Sequence, residues 1–301
     1  MYLFFVFMML SLTFLLGAEE EHKIIYLIAS PRSLSSAFLR SMEARQDCAL
    51  FHEPSLFIYN KETFKGRLPK GMFYKDTIGD FEELKRAIFE EAAHTHVFIK
   101  DIACTCRGFI NSSEDLLKDP RVYFIFLVRD PHSILISYNK KNPNFFEILV
   151  PRFGFEAVCE IFLEASKKLF LEIQSACTNP PLILFAEELS REPERVMRGF
   201  CQHVGIPFKV EALSWKDLGV QFTGQKEWHE SKMIELFYHW HGDAIRSTHF
   251  SPLRSSQVDE NGDPTFEEIE NSEQRAVFKE AYLFSLPAYR FFKEATDYHL
   301  K

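Results

Sequence analysis

The strongest constraint on the fold of this chain is a set of short apolar runs that do not alternate. Lys23–Ser30 reads KIIYLIAS and Val122–Val128 reads VYFIFLV, so either run presents apolar or aromatic side chains to both sides. A strand with one wet face alternates apolar and polar residues, whereas a strand covered on both faces does not. Similar runs stand at Ala49–Phe51, His96–Ile99 and Leu182–Phe185. Between the runs lie stretches with apolar residues at helical spacing: Ser35–Ala44, Phe81–Ala93, Phe155–Ser175 and Glu192–Val204. Strands that alternate with helices imply parallel pairing through crossover connections. The expected fold is therefore α/β, a three-layer α/β/α arrangement around a central parallel sheet. In such folds ligands gather beyond the C-terminal ends of the strands.

One core of this kind accommodates most of the 301 residues. Residues 1–18 form an uncharged apolar run that ends at Glu19-Glu20-Glu21. Its length suits a signal core or a short membrane anchor, although the basic segment that normally precedes a signal core is absent. We expect a hydrophobic leader over 1–18, the main domain over 19–254, and a loop with a C-terminal tail over 255–301. The polar stretch Ser255–Pro264 opens the tail, and helical spacing over Phe266–Tyr298, broken by Pro287, predicts two helices packed on the body. A working leader puts the domain in a secreted, lumenal or membrane-associated setting; without one the chain is cytoplasmic.

The formal net charge of −8 argues against general attraction to a polyanion, so no nucleic-acid partner is expected. The 32 phenylalanines read as packing material. The six cysteines match neither a compact disulfide framework nor a paired metal-binding pattern. Cys104 and Cys106 lie two apart and would share one side of a strand; they read as buried thiols, and no metal site is expected.

Two strand–loop–helix segments carry candidate chemistry. In the first, Ser30-Pro31-Arg32-Ser33-Leu34-Ser35-Ser36 joins a buried strand to a helix. A helix N-terminus offers unpaired N–H groups, to which the hydroxyls of Ser33, Ser35 and Ser36 and the charge of Arg32 are added. By itself this is equally a serine-rich cap. In the second, the run ending at Val128 delivers Arg129, and Ser137 follows about two helical turns later, so a phosphate could lie between them. Alone, Arg129 is as readily a strand-end partner of Asp130. The Gly-Lys-Ser/Thr closure of a Walker loop is absent, which removes the main support for an ordinary nucleoside triphosphatase.

In this order the two segments resemble the cofactor-binding motifs of the P-loop-like sulfotransferases, which use 3'-phosphoadenosine 5'-phosphosulfate (PAPS). That family's Pro-Lys/Arg-Ser-Gly-Thr-Thr loop is matched by Pro31–Ser36, except that Leu34 replaces the glycine. The family's strand-end arginine and the serine eight residues on are matched by Arg129 and Ser137. A third segment, Leu182–Leu189 with Arg191-Glu192-Pro193-Glu194 and Gly205-Ile206-Pro207, is similar to a later family segment. Phe51-His52-Glu53-Pro54, Phe98–Asp101 and Trp240–Thr248 suggest a bacterial and fungal sulfotransferase-like branch. The matches run from about Lys23 to Arg254.

The resemblance implies a P-loop-containing nucleoside triphosphate hydrolase-like fold and transfer of a sulfuryl group to a hydroxyl or amine on a small-molecule or carbohydrate acceptor. Arg32, Ser33, Leu34, Ser35 and Ser36 would hold the 5'-phosphosulfate, and Arg129 with Ser137 the 3'-phosphate. Such transfer depends on positioning and electrostatics and requires no metal. For the base, Glu53 on the ligand edge is the first choice, Asp101 the second, and His52 beside Glu53 follows; the alternative is that Glu53 caps or braces the loop. Lys100 is read either as a contact to sulfuryl oxygens or as an ion pair with Asp101. Arg246, Ser247, Thr248 and His249 are candidates to close over the nucleotide, while His239 and His241 flank Trp240. The competing readings are a non-catalytic sulfotransferase-like binding module and a nucleotide phosphotransferase. Residues 60–80 and 142–155 are candidate acceptor-pocket walls.

Overall fold

The computed structural model describes residues 21–56, 58–59, 79–217, 231–253, 256, 258–259 and 263–296, with the backbone alone over 231–238. Five strands form one sheet: β1 (Ile24–Ala29), β2 (Cys48–His52), β3 (His96–Ile102), β4 (Val122–Val128) and β5 (Leu182–Phe185), in the order β2-β3-β1-β4-β5. Every pairing is parallel. This is the three-layer arrangement expected from the non-alternating runs. On one face Ile24, Tyr26 and Ile28 of β1 join a core with Phe124 and Phe126 of β4; on the other Ile25, Leu27 and Ala29 join Ile125 and Leu127.

The helices divide between the two faces. The first face is covered by α2 (Phe81–Glu91), α3 (Ala103–Ser112), the short α4 (Glu114–Lys118) and α5 (Pro131–Lys141), then by α6 (Phe145–Phe153), α7 (Phe155–Glu160) and α8 (Glu164–Ala176). The second face is covered by α1 (Ser35–Ala44), α9 (Ala186–Arg191) and α10 (Pro193–Val204), with Ile245 of α11 (Ser231–Arg246) packed beside them. The chain therefore leaves β1 toward one face and its neighbours β3 and β4 toward the other. Loops that diverge in this way open a crevice at the strand ends.

Several boundaries differ from expectation for identifiable reasons. β3 runs past Ile99 through Lys100 and Asp101, paired beside Leu27 and Ile28, so the polar residues that end the apolar pattern are themselves strand residues. Cys104 and Cys106 consequently fall on α3 and not on a strand, and all six cysteines are free thiols. The stretch Phe155–Ser175 divides into α7 and α8, because Phe162 and Leu163, adjacent in sequence, are both buried at the turn between them.

The tail is one helix, α12 (Ser272–Thr296), not two. Proline removes one N–H from the ladder, and the carbonyl that loses its partner is four residues back. That residue is Leu283, 56% exposed, while Phe278, Ala281, Ala288 and Phe292 anchor the other side in the core. Packing of that side carries the helix through Pro287. Among the described residues no helix is long and apolar enough to cross a membrane. The expected leader and most of residues 60–80 lie outside the described residues.

Candidate functional site

The sequence candidates converge on one edge of the sheet, at the C-terminal ends of β1, β2, β3 and β4. Beyond β1, Ser30 continues the ladder by donating its N–H to the Leu127 carbonyl (3.0 Å), and the chain then turns sharply. Arg32 (φ 61°) and Leu34 (φ 67°) both adopt the left-handed conformation. That conformation crowds Cβ against the following carbonyl and costs about 1–2 kcal/mol per residue without glycine. Leu34 is therefore held, at a cost, in the backbone state for which the resembling motif has glycine. The Ser33 hydroxyl donates to the Ser30 carbonyl (2.6 Å), which closes the turn, and α1 begins at Ser35.

The second motif meets this loop from β4. Arg129 Nη1 donates to the Arg32 carbonyl (2.5 Å), so the two arginine-bearing segments are in direct contact. Asp130 caps α5 by accepting from the Ser133 N–H (2.8 Å), and Pro131 occupies the first turn. Ser137, expected to share a phosphate with Arg129, receives a hydrogen bond from Arg32 Nε (3.1 Å). The contact ties α5 to the loop that follows β1.

Burial disfavours the charge of both arginines. Desolvation lowers the pKa of Arg129, with Glu187 opposing and Arg32 adding to the effect; desolvation also lowers that of Arg32, against Asp243 and Tyr138. Arg129 is 8% exposed. Its Nε, the Ser30 hydroxyl and Glu187 Oε2 are buried with no hydrogen-bond partner among the described residues. A buried guanidinium N–H without an acceptor is costly, and an anionic ligand would satisfy it.

The β2–β3 side is arranged differently. Glu53 follows β2 in the left-handed conformation (φ 51°), and its N–H donates to the Lys100 carbonyl (2.6 Å). Its carboxylate takes the Lys100 ammonium in a salt bridge in which both side chains are buried. The expected pairing of Lys100 with Asp101 is not formed, because successive strand residues point to opposite faces. Burial pushes the Glu53 pKa up, but Lys100, His52 and His241 outweigh it and hold the group at about 2. His52 is lowered to about 3, chiefly by burial, and packs edge-on to His241 (4.8 Å between ring centres).

Asp101 is braced on all sides. Oδ2 accepts from the Tyr26 hydroxyl (3.1 Å) and the Ser55 N–H (3.2 Å), and Oδ1 from the Ile102 N–H (3.1 Å) and the Thr105 hydroxyl (3.1 Å). Burial nevertheless raises its pKa to about 6. This buried network was missed at the sequence level. Its signals were a tyrosine in the otherwise aliphatic β1 run and a threonine four residues after Asp101, one helical turn into α3.

Ligand atoms of His52, Glu53 and His241 lie within 4.8 Å of one another, a spacing that a divalent ion could draw together. The Lys100 ammonium already sits on the Glu53 carboxylate and supplies the positive charge there. The late segment reaches the loop mainly through α11: Arg32 Nη1 donates to the Trp240 carbonyl (2.6 Å), and Ser36 Oγ lies 2.7 Å from His241 Nδ1. His239 reaches the Lys141 carbonyl (2.8 Å), Ser247 bonds its own helix end, and Thr248 bonds His249. Arg246 meets Asp243 (3.7 Å), so no contact brings it to the loop.

No family model matches the chain. Two curated proteins of Arabidopsis thaliana are similar to it. Branched-chain-amino-acid aminotransferase-like protein 2 is 27% identical over 195 residues, covering 64% of this chain and 32% of that protein. Branched-chain-amino-acid aminotransferase-like protein 1 is 29% identical over 197 residues, covering 65% and 32%. The chain thus spans about a third of the length of these relatives. Among solved structures, the sulfotransferase domain from the curacin biosynthetic pathway is similar at TM-score 0.49 and 18% identity, over 86% of this chain and 97% of that one. A sulfotransferase from Alicyclobacillus acidocaldarius gives 0.44 and 12% over 75% and 97%, and mouse sulfotransferase SULT7A1 complexed with PAP gives 0.42 and 16% over 90% and 88%.

Proposed function

We propose that this chain is a sulfotransferase that takes the sulfuryl group of PAPS and passes it to a hydroxyl or amine acceptor. The observation that carries the reading is the meeting of Arg32 and Arg129 at the ends of adjacent strands, with Arg129 Nε and the Ser30 hydroxyl buried and without partners among the described residues. The residues at this edge fit a doubly phosphorylated ligand. The left-handed turn, the N-terminus of α1 and Arg32, Ser33, Leu34, Ser35 and Ser36 would hold the 5' end. Arg129 and Ser137 would take the 3'-phosphate.

The β2–β3 side supplies the acceptor chemistry. A carboxylate held at about 2 is a weak base while Lys100 is bound to it. If Lys100 turns to the oxygens of the arriving sulfuryl group, Glu53 keeps its burial and loses its main counter-charge, so its proton affinity rises. Glu53 then accepts the acceptor's proton as the new bond to sulfur forms and the bond from sulfur to the 5'-phosphate oxygen breaks, releasing adenosine 3',5'-bisphosphate. His52, neutral and packed on His241, would line this side, and Asp101 would act through the bracing of Tyr26, Ser55 and Thr105.

Calorimetric titration of the protein with adenosine 3',5'-bisphosphate tests the reading, with 5'-ADP as comparator. The bisphosphate is expected to bind more tightly than 5'-ADP, and Arg129→Ala to weaken it by roughly 30- to 150-fold, the loss of a charge-assisted contact of about 2–3 kcal/mol. Absence of bisphosphate binding by folded protein would end the proposal.

A further inference from the structure

The phosphate loop is engaged by the protein itself, through Ser137 of α5, Arg129 and one turn of α11. Arg32 Nε donates to Ser137 and Nη1 to the Trp240 carbonyl, while Nη2 lies 3.8 Å from the Asp243 carboxylate, an ion pair at longer range than a hydrogen bond. Ser36, the loop hydroxyl at the start of α1, is taken by His241. The same Asp243 oxygen is 3.1 Å from Lys141 Nζ, and its other oxygen is 3.7 Å from Arg246 Nη2. One carboxylate thus stands among three cations, one of which is the loop's own arginine.

We propose that the Trp240–Asp243 turn is a latch in which Asp243 stands in for an anion, and that an anionic ligand engages Arg32 and Ser36 by displacing it. This rests on the donor site assigned above and concerns its regulation. The geometry allows the exchange. The Asp243 side chain is 67% exposed, so leaving the cluster costs it little. The chain immediately after the turn is fixed, with Ile245 buried in the core and the Thr248 carbonyl accepting from the Trp215 N–H (2.9 Å). Displacement would therefore loosen the turn locally and not unwind that end of the helix.

The test is titration of the full chain with adenosine 3',5'-bisphosphate and, separately, inorganic pyrophosphate, for wild type, Asp243→Ala and the double variant His241→Ala/Asp243→Ala, with folding checked by circular dichroism. Removing one exposed ion pair should tighten anion binding roughly threefold, and removing the Ser36 contact as well should bring the gain to about tenfold. Amide exchange over residues 231–246 in wild type should quicken when ligand saturates the site. Unchanged or weaker binding by the double variant would overturn the latch, as would slower exchange on ligand binding, which would make α11 part of the bound site. Tighter pyrophosphate binding in the variants without any bisphosphate binding would retain the latch and remove the donor reading. No binding of either anion by any variant would remove both.

Discussion

The sheet edge carries charge in two contrasting ways. At the ends of β2 and β3 the charges are matched within the protein: Lys100 sits on Glu53, and Asp101 accepts four hydrogen bonds. At the ends of β1 and β4 two arginines are brought together, one with a buried N–H that has no partner among the described residues. Buried charge is tolerated where it is paired, and a buried donor left unmet costs free energy that an anionic ligand would recover. The first side has the character of a set of groups poised against one another, the second that of a receptacle.

The largest expected effect tests the matched side. Lys100→Met leaves Glu53 buried without its counter-charge and should cost about 3–5 kcal/mol of stability, with Glu53→Gln in the same chain restoring part of it. Urea unfolding reads both; a Lys100→Met protein as stable as wild type would show that the pair is not buried in solution.

The second effect depends on pH and has opposite signs for the two carboxyls. Glu53 is depressed to about 2, so its contribution is present above its ordinary value of 4.5 and disappears as pH falls toward 2. Asp101 is raised from 3.8 to about 6, so folding loses stability as pH rises through that interval. Between pH 4 and 7 wild type should therefore lose on the order of 2 kcal/mol relative to Asp101→Asn, whatever the variant's baseline. Parallel stability curves for the two proteins would contradict the raised pKa.

The smallest effect tests the receptacle. Leu34→Gly should relieve the left-handed strain and raise stability by about 1 kcal/mol, less whatever Leu34 contributes by packing against the α1 face of the core. A loss of stability would mean that packing, not backbone strain, dominates at Leu34.

Much of this edge was legible in the sequence because its parts are local. β4 and β5 coincide with their apolar runs, and Arg129 follows β4 directly, so its place at the ligand edge needed only the strand assignment. Long-range pairings were not legible. The choice of Lys100 for Glu53 over Asp101 depends on β2 lying beside β3, and the contact of Ser137 with Arg32 depends on how α5 crosses the loop. Trp240 and Asp243 reach the loop from more than 200 residues away, a contact that no local pattern encodes. Pro287 misled because a helix-breaking residue was weighed without the buried face that holds α12 together.

The most direct test of the central claim is a crystal structure of the protein with adenosine 3',5'-bisphosphate. The account predicts the 3'-phosphate within hydrogen-bond distance of Arg129 Nε and Ser137 Oγ, with the 5'-phosphate against Arg32 and the start of α1. A ligand bound elsewhere, or one that leaves Arg129 Nε without an acceptor, would contradict it.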